Sequence, residues 1–122
     1  VQLTLWIVTI LLAIAYLFAG VSKAFRPKPA LANQMAWTED FSAPQVKAIG
    51  TLELLGVIGL ILPPLTGIAT FLTPAAAFGL ALVQVGAIPV HIRHGEARVV
   101  PFNVLLLLLA VFVGVFRIFY PR

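Results

Sequence analysis

Val46–Pro63 reads VKAIGTLELLGVIGLILP, an apolar run broken by one carboxylate, Glu53, about two turns inside its first end. As a membrane helix this segment buries a group that costs roughly 2.5–3.5 kcal/mol even on the lenient insertion scale. A chain that carries such a cost faces the group inward and gives it a partner. Gly50 and Gly56, three residues to either side of Glu53, lie on its broad face, where a neighbouring helix can approach closely. The other segments are expected to pack around this one.

The whole sequence agrees. Of its 122 residues 61% are hydrophobic and 10% charged, against about 45–50% and about 25% in soluble domains. The expected fold is all-α, an integral membrane four-helix bundle forming a single membrane domain over 1–122. Its spans fall near 3–23, 46–63, 68–91 and 101–120, with an interfacial loop at 24–45. The amino end lacks the basic n-region of a secretory signal, and its apolar run is as long as a span, so a first span is expected there. The net charge of +4 does not argue for nucleic acid, because the basic residues cluster at span ends, where orientation and anionic lipid account for them. There is no cysteine, which excludes disulfides, cysteine-bound iron–sulfur clusters and thiol relays.

In the first span Thr9, Ala13, Tyr16, Gly20 and Lys23 recur every three or four residues and form one stripe of small and polar side chains. Trp6 and Lys23 anchor its two ends. Arg26 to Pro44 is the only sizeable polar stretch, and Pro27 and Pro29 push it extended. Its middle is either a short interfacial helix dipping Met35, Trp37 and Phe41 into the headgroups or a mobile loop. Ser42 followed by Pro44 reads as an N-cap and early-helix proline. The second span is expected to end at Pro63-Pro64, with Leu65-Thr66-Gly67 completing a tight turn. In the third span Pro74 and Pro89 predict a kink or an irregular end, Gly79 and Gly86 a close-packing face, and Gln84 and His91 a polar one. In the fourth, Asn103, Ala110, Gly114 and Arg117 share a stripe, while Arg117, near the exit, can snorkel to the surface beside Phe116, Phe119 and Tyr120.

Lys23, Arg26, Lys28, Lys47, Arg93 and Arg98 fall on the side of the first and third connections, with Arg117 and Arg122 opposite. Six against two places both connections in the cytoplasm and both termini outside.

Depth brings the polar groups together. At the helical rise, Glu53 lies roughly 9 Å beyond Lys47, Tyr16 about 10 Å below Lys23 and Gln84 about 10 Å below His91. These three share a level, and Lys23, His91 and Asn103 rim the same space nearer the surface. Glu53 is either half of a buried pair that fixes packing, with Lys23 the most reachable cation, or a proton acceptor that orients a ligand. Tyr16 suits a packed aromatic with a satisfied hydroxyl, and Gln84 an interhelical hydrogen bond before a ligand contact. His91 and His94 have metal-ligand spacing, but Gly95 follows at once and no carboxylate cluster joins them, so interfacial histidines and no metal are expected.

FAGVSKAF at the end of the first span, VKAIGTLELLGVIGLILP in the second, and TPAAAFGLALVQVGAIPVHIRHGE in the third and its exit resemble, in this order, the DoxX-like family of small bacterial membrane proteins. The resemblance implies a four-helix bundle in the bacterial inner membrane, with Lys23, Glu53 and the His91 region as its characteristic polar positions. Members have been linked with thiosulfate:quinone oxidoreduction and membrane redox complexes, and animal relatives with assembly or cargo reception. The implied function is an accessory subunit of a redox system, with a quinone or lipid-like molecule held by Tyr16, Glu53, Gln84 and His91. Expected partners are membrane lipid and a redox complex or a second copy of the chain. The alternative is an assembly factor or structural subunit whose buried charges only stabilise the bundle.

Overall fold

The computed structural model describes residues 2–25 and 42–122. Four long helices account for almost all of them: α1 (Gln2–Phe25), α2 (Ala43–Thr66), α3 (Leu72–Arg93) and α4 (Val100–Phe119), the last entered through a short 3-10 turn, Ala97–Val99. All four are long and apolar enough to cross a membrane. Helices suit these sequences because hydrocarbon offers no partner for a backbone N–H or C=O, so each segment must satisfy its own. The interfacial segment with Met35, Trp37 and Phe41 lies outside the described residues.

The helices form a ring in chain order. α1 packs most closely on α2 and α3 on α4; α2 against α3, and more lightly α1 against α4, close the bundle. The core is narrow and built from one stripe of each helix, including Leu5, Leu12, Leu60, Leu80, Leu106 and Val113 with small residues between them. Outward, large side chains such as Phe18, Leu82 and Phe119 are exposed, as a lipid-facing surface requires. The predicted stripes of α1 and α4 are both inward and buried.

Helix ends follow their local chemistry. Ser42 Oγ accepts from the Gln45 N–H at 3.2 Å, and Gln45 Oε1 accepts from the Ser42 N–H at 2.9 Å. This capping box, with proline in the first turn, starts α2 where the sequence placed it. At the other end Gly67 takes the left-handed conformation, φ 74°, and its N–H donates to the Pro63 carbonyl.

Three expectations need correction. α2 does not stop at Pro63-Pro64 but runs on to Thr66. Pro63 has no N–H for the Gly59 carbonyl four residues back, and the Thr73 hydroxyl of α3 donates to that carbonyl instead, at 2.7 Å. The lost bond is thus replaced from a neighbouring helix, a known route by which membrane helices tolerate proline. The third span does not start near residue 68: 68–71 form the irregular end that Pro74 predicts, and α3 begins at Leu72, where a first-turn proline needs no intrahelical donor. Gly79 and Gly86 form no close contact among the described residues, where a Cβ at either would meet nothing within 4 Å. Gly79 instead borders an apolar groove of about 770 Å³ on the α2–α3 face. The tight approach lies between α1 and α2, where a Cβ on Gly50 would lie 2.6 Å from the Ala24 nitrogen and 2.8 Å from the Gly20 oxygen.

Candidate functional site

The close α1–α2 seam sets the position of the buried charge. Gly50 lies against the Cβ of Lys23, and one turn further along α2 Glu53 faces the same stripe of α1. Lys23 Nζ donates to Glu53 Oε1 at 2.7 Å. Glu53 is 1% exposed and Lys23 9%, so the pair is out of water, and only its geometry repays the desolvation of both ions. Nearby, Lys47 Nζ donates to the Ala24 carbonyl at 3.2 Å and holds the end of α1 against α2.

A second chain of hydrogen bonds crosses from α1 to α3. Gln84 Nε2 donates to the Tyr16 hydroxyl at 2.9 Å, and that hydroxyl donates to the Leu80 carbonyl at 2.9 Å. Tyr16 is therefore a packed aromatic with a satisfied hydroxyl, and Gln84 an interhelical link. Gln84 has more capacity than the link uses, since its Oε1 is buried without a partner among the described residues. The same holds for Nδ2 of Asn103, in the first turn of α4.

His91 leads to a residue that the sequence reading missed. α3 ends in a Schellman motif: Glu96 N–H donates to the His91 carbonyl at 2.8 Å, Gly95 N–H to that of Ile92 at 3.2 Å, and Gly95 has φ +70°. That motif brings together the side chains of its first and last residues, where an apolar contact is usual. Here they are His91 and Glu96, with Nδ1 and Oε1 3.2 Å apart. The signal was present in the sequence: glycine as the left-handed residue implies contact between the positions four before and one after it.

Tyr16, Lys23, Glu53, Gln84, His91 and Asn103, together with Glu96, line a single cavity of about 830 Å³ between the helices, toward the end holding the α3–α4 connection. Its remaining wall is mainly apolar, with Ile14, Ile49, Leu82, Val90, Phe102 and Leu106. The volume lies within the range of pockets that take small organic ligands, and an apolar wall with a few converging polar groups is the usual composition of such sites. Gly86, free of helix contacts, opens onto this space.

Of the two readings open for Arg117, snorkelling to the surface or lying within the bundle with its stripe, the structure takes the second. It does not snorkel but is 1% exposed at the opposite end of the bundle. The helix phase explains this, since a residue three beyond Gly114 and seven beyond Ala110 shares their inward stripe.

Four apolar helices around a narrow core, with a mainly apolar cavity that carries a few polar side chains toward one end, define a multi-pass membrane protein. The chain belongs to the DoxX-like family, whose pattern matches residues 7–113. No curated protein and no solved structure matches the chain.

Proposed function

We propose that this DoxX-like protein is an accessory subunit of a redox system in the bacterial plasma membrane, with both termini outside. Its cavity holds a quinone or a similar lipid-like molecule. The observation that carries this reading is the pair of enclosed amide atoms without a partner among the described residues, Gln84 Oε1 and Asn103 Nδ2, on two side chains that line a largely apolar cavity and need only turn to reach its occupant. Buried polar atoms are normally satisfied, so an acceptor and a donor left over in one wall suit a ligand that supplies the complements. A quinone fits this donor set: Asn103 Nδ2 can donate to a ring carbonyl, and Gln84 Oε1 can accept from the hydroxyl of the reduced form. When bound, the quinone supplies electron and proton transfer. The chain's own part is to orient the headgroup, keep water out with its apolar wall, and hold charge nearby in the Lys23–Glu53 and His91–Glu96 pairs.

The test is purification in mild detergent, followed by native mass spectrometry and an absorption spectrum. The reading expects a near-stoichiometric quinone with the wild type and its loss from the Gln84→Leu, Asn103→Leu double variant, whose substitutions spare the ion pair. Bare protein carrying only bulk lipid overturns it.

The 2.7 Å contact of Lys23 with Glu53 favours a second reading, in which the chain is an assembly factor or structural subunit and the pair serves packing alone. That reading expects Glu53→Gln to lower stability and partner recovery with no small molecule involved.

A further inference from the structure

At the end of the bundle away from the cavity, Arg117 is a buried guanidinium with no acidic side chain beside it among the described residues. Glu53 and Glu96 are the acidic side chains among those residues; they bond Lys23 and His91 at the cavity end. Arg117 Nη1 donates to Gln2 Oε1 at 3.3 Å and to the Tyr120 carbonyl at 3.1 Å, and the guanidinium carbon lies 4.9 Å from the centre of the Trp6 ring. Nε and Nη2 have no hydrogen-bond partner among the described residues. Those two atoms form one edge of the guanidinium, the edge whose parallel N–H bonds grip a carboxylate or phosphate in bidentate fashion. One edge of the cation is tied down by neutral acceptors, and the edge suited to an oxyanion is left over.

The position specifies the anion. Arg117 lies in the last turn of α4 and Trp6 in the second turn of α1, with Phe116 and Tyr120 stacked 6.3 Å apart beside them. Aromatic residues at span ends mark the interface, where lipid phosphates lie. We propose that Arg117, steadied by Trp6 and Gln2, binds a phosphate-type oxyanion at this interface, carried by a phospholipid headgroup or free in solution. The unpartnered edge is enclosed in the structure, so entry requires side chains at this end of the bundle to part.

Trp6 is the reporter. The sequence has two tryptophans, so Trp37→Phe leaves Trp6 alone for fluorescence. The full chain in non-ionic detergent is titrated with short-chain phosphatidylglycerol, with diacylglycerol of the same chain length and with inorganic phosphate. A saturable change with phosphatidylglycerol and none with diacylglycerol is expected. Arg117→Lys keeps the charge and loses the bidentate edge, so affinity falls roughly ten- to hundredfold. If inorganic phosphate produces the same saturable change, the free ion is the source; if only the lipid does, the source is the headgroup. Equal responses to phosphatidylglycerol and diacylglycerol, or no saturable response of the folded Trp37→Phe reporter with Arg117 intact to any phosphate, overturn the proposal. Neither result depends on the Arg117 variant folding. An unchanged titration in folded Arg117→Lys overturns it as well.

Discussion

Replacing Glu53 by Gln keeps the shape of the side chain and one acceptor oxygen but removes the charge from a pair held at 2.7 Å. Breaking a buried pair from one side generally costs roughly 3–5 kcal/mol, because an uncompensated ion stays buried. Two features of this site reduce that figure. Glutamine can still accept from Lys23, and Lys23, within a turn of the end of α1, can lift its ammonium part of the way to water. What is lost is the charge-assisted share of the bond, so a destabilisation of about 2–3 kcal/mol is expected. The assay is reversible unfolding in mixed micelles, followed by far-ultraviolet circular dichroism across a double-mutant cycle with Lys23→Met. Lys23→Met alone strands the carboxylate and should cost at least as much. The double variant removes both charges and should recover most of the loss, as should the exchanged pair Lys23→Glu with Glu53→Lys. A Glu53→Gln protein that unfolds within about 0.5 kcal/mol of wild type would refute the claim that this contact holds α1 to α2.

Gly50→Ala places a Cβ against the Ala24 and Gly20 backbones and should cost about 1–3 kcal/mol in the same assay. Gly79→Ala, in open space, should stay within about 0.5 kcal/mol of wild type. Thr73→Val removes the donor to the Gly59 carbonyl that Pro63 cannot serve, and a loss of about 1–2 kcal/mol should appear in unfolding. The chain has no cysteine, so single cysteines at Arg98 and Arg122 report topology cleanly. A membrane-impermeant maleimide should label intact cells at position 122 and not at 98; the reverse pattern would invert the proposed orientation.

Much of the architecture was legible because the membrane simplifies the code. Span number follows from length and hydropathy, and the inward faces of α1 and α4 from spacing, since a polar or small stripe on an otherwise apolar helix has no better place to go. The level shared by Tyr16 and Gln84 was readable from helical rise, and the two side chains are bonded to each other. Three things were not legible, each because it depended on a neighbouring element. The course of α2 through Pro63-Pro64 rests partly on a hydroxyl from α3. The freedom of Gly79 and Gly86 rests on which helix face meets a neighbour, which glycine spacing alone does not specify. Arg117 showed two tendencies, an inward phase and a near-terminal position, and phase won. Glu96 is a different case, since a left-handed turn at Gly95 is enough by itself to imply the contact with His91.

The balance between a binding role and a packing role turns on what the hydrogen bonds leave over. A network present only to hold helices together should be closed, because each unpaired buried atom subtracts from the stability the network supplies. The Lys23–Glu53 contact and the Gln84–Tyr16–Leu80 chain satisfy that demand and join α1 to α2 and to α3. Packing alone would need only the Gln84 donor to Tyr16, and leucine at 103 would leave no orphan amide there. Gln84 Oε1 and Asn103 Nδ2 are instead unsatisfied, on two helices lining the same cavity as the closed links. On the proposed reading the ion pair and the Tyr16 link fix the walls, Asn103 serves the ligand, and Gln84 serves both, with its Nε2 in the link and its Oε1 left over. On this division Glu53→Gln should weaken the bundle and lose ligand only as the walls loosen. The amide double variant should lose ligand from a bundle weakened only by the missing Gln84–Tyr16 bond, about 0.5–1.5 kcal/mol. If instead the amide variant unfolds earlier than that and Glu53→Gln alone releases the ligand from a stable bundle, the assignment of roles is reversed.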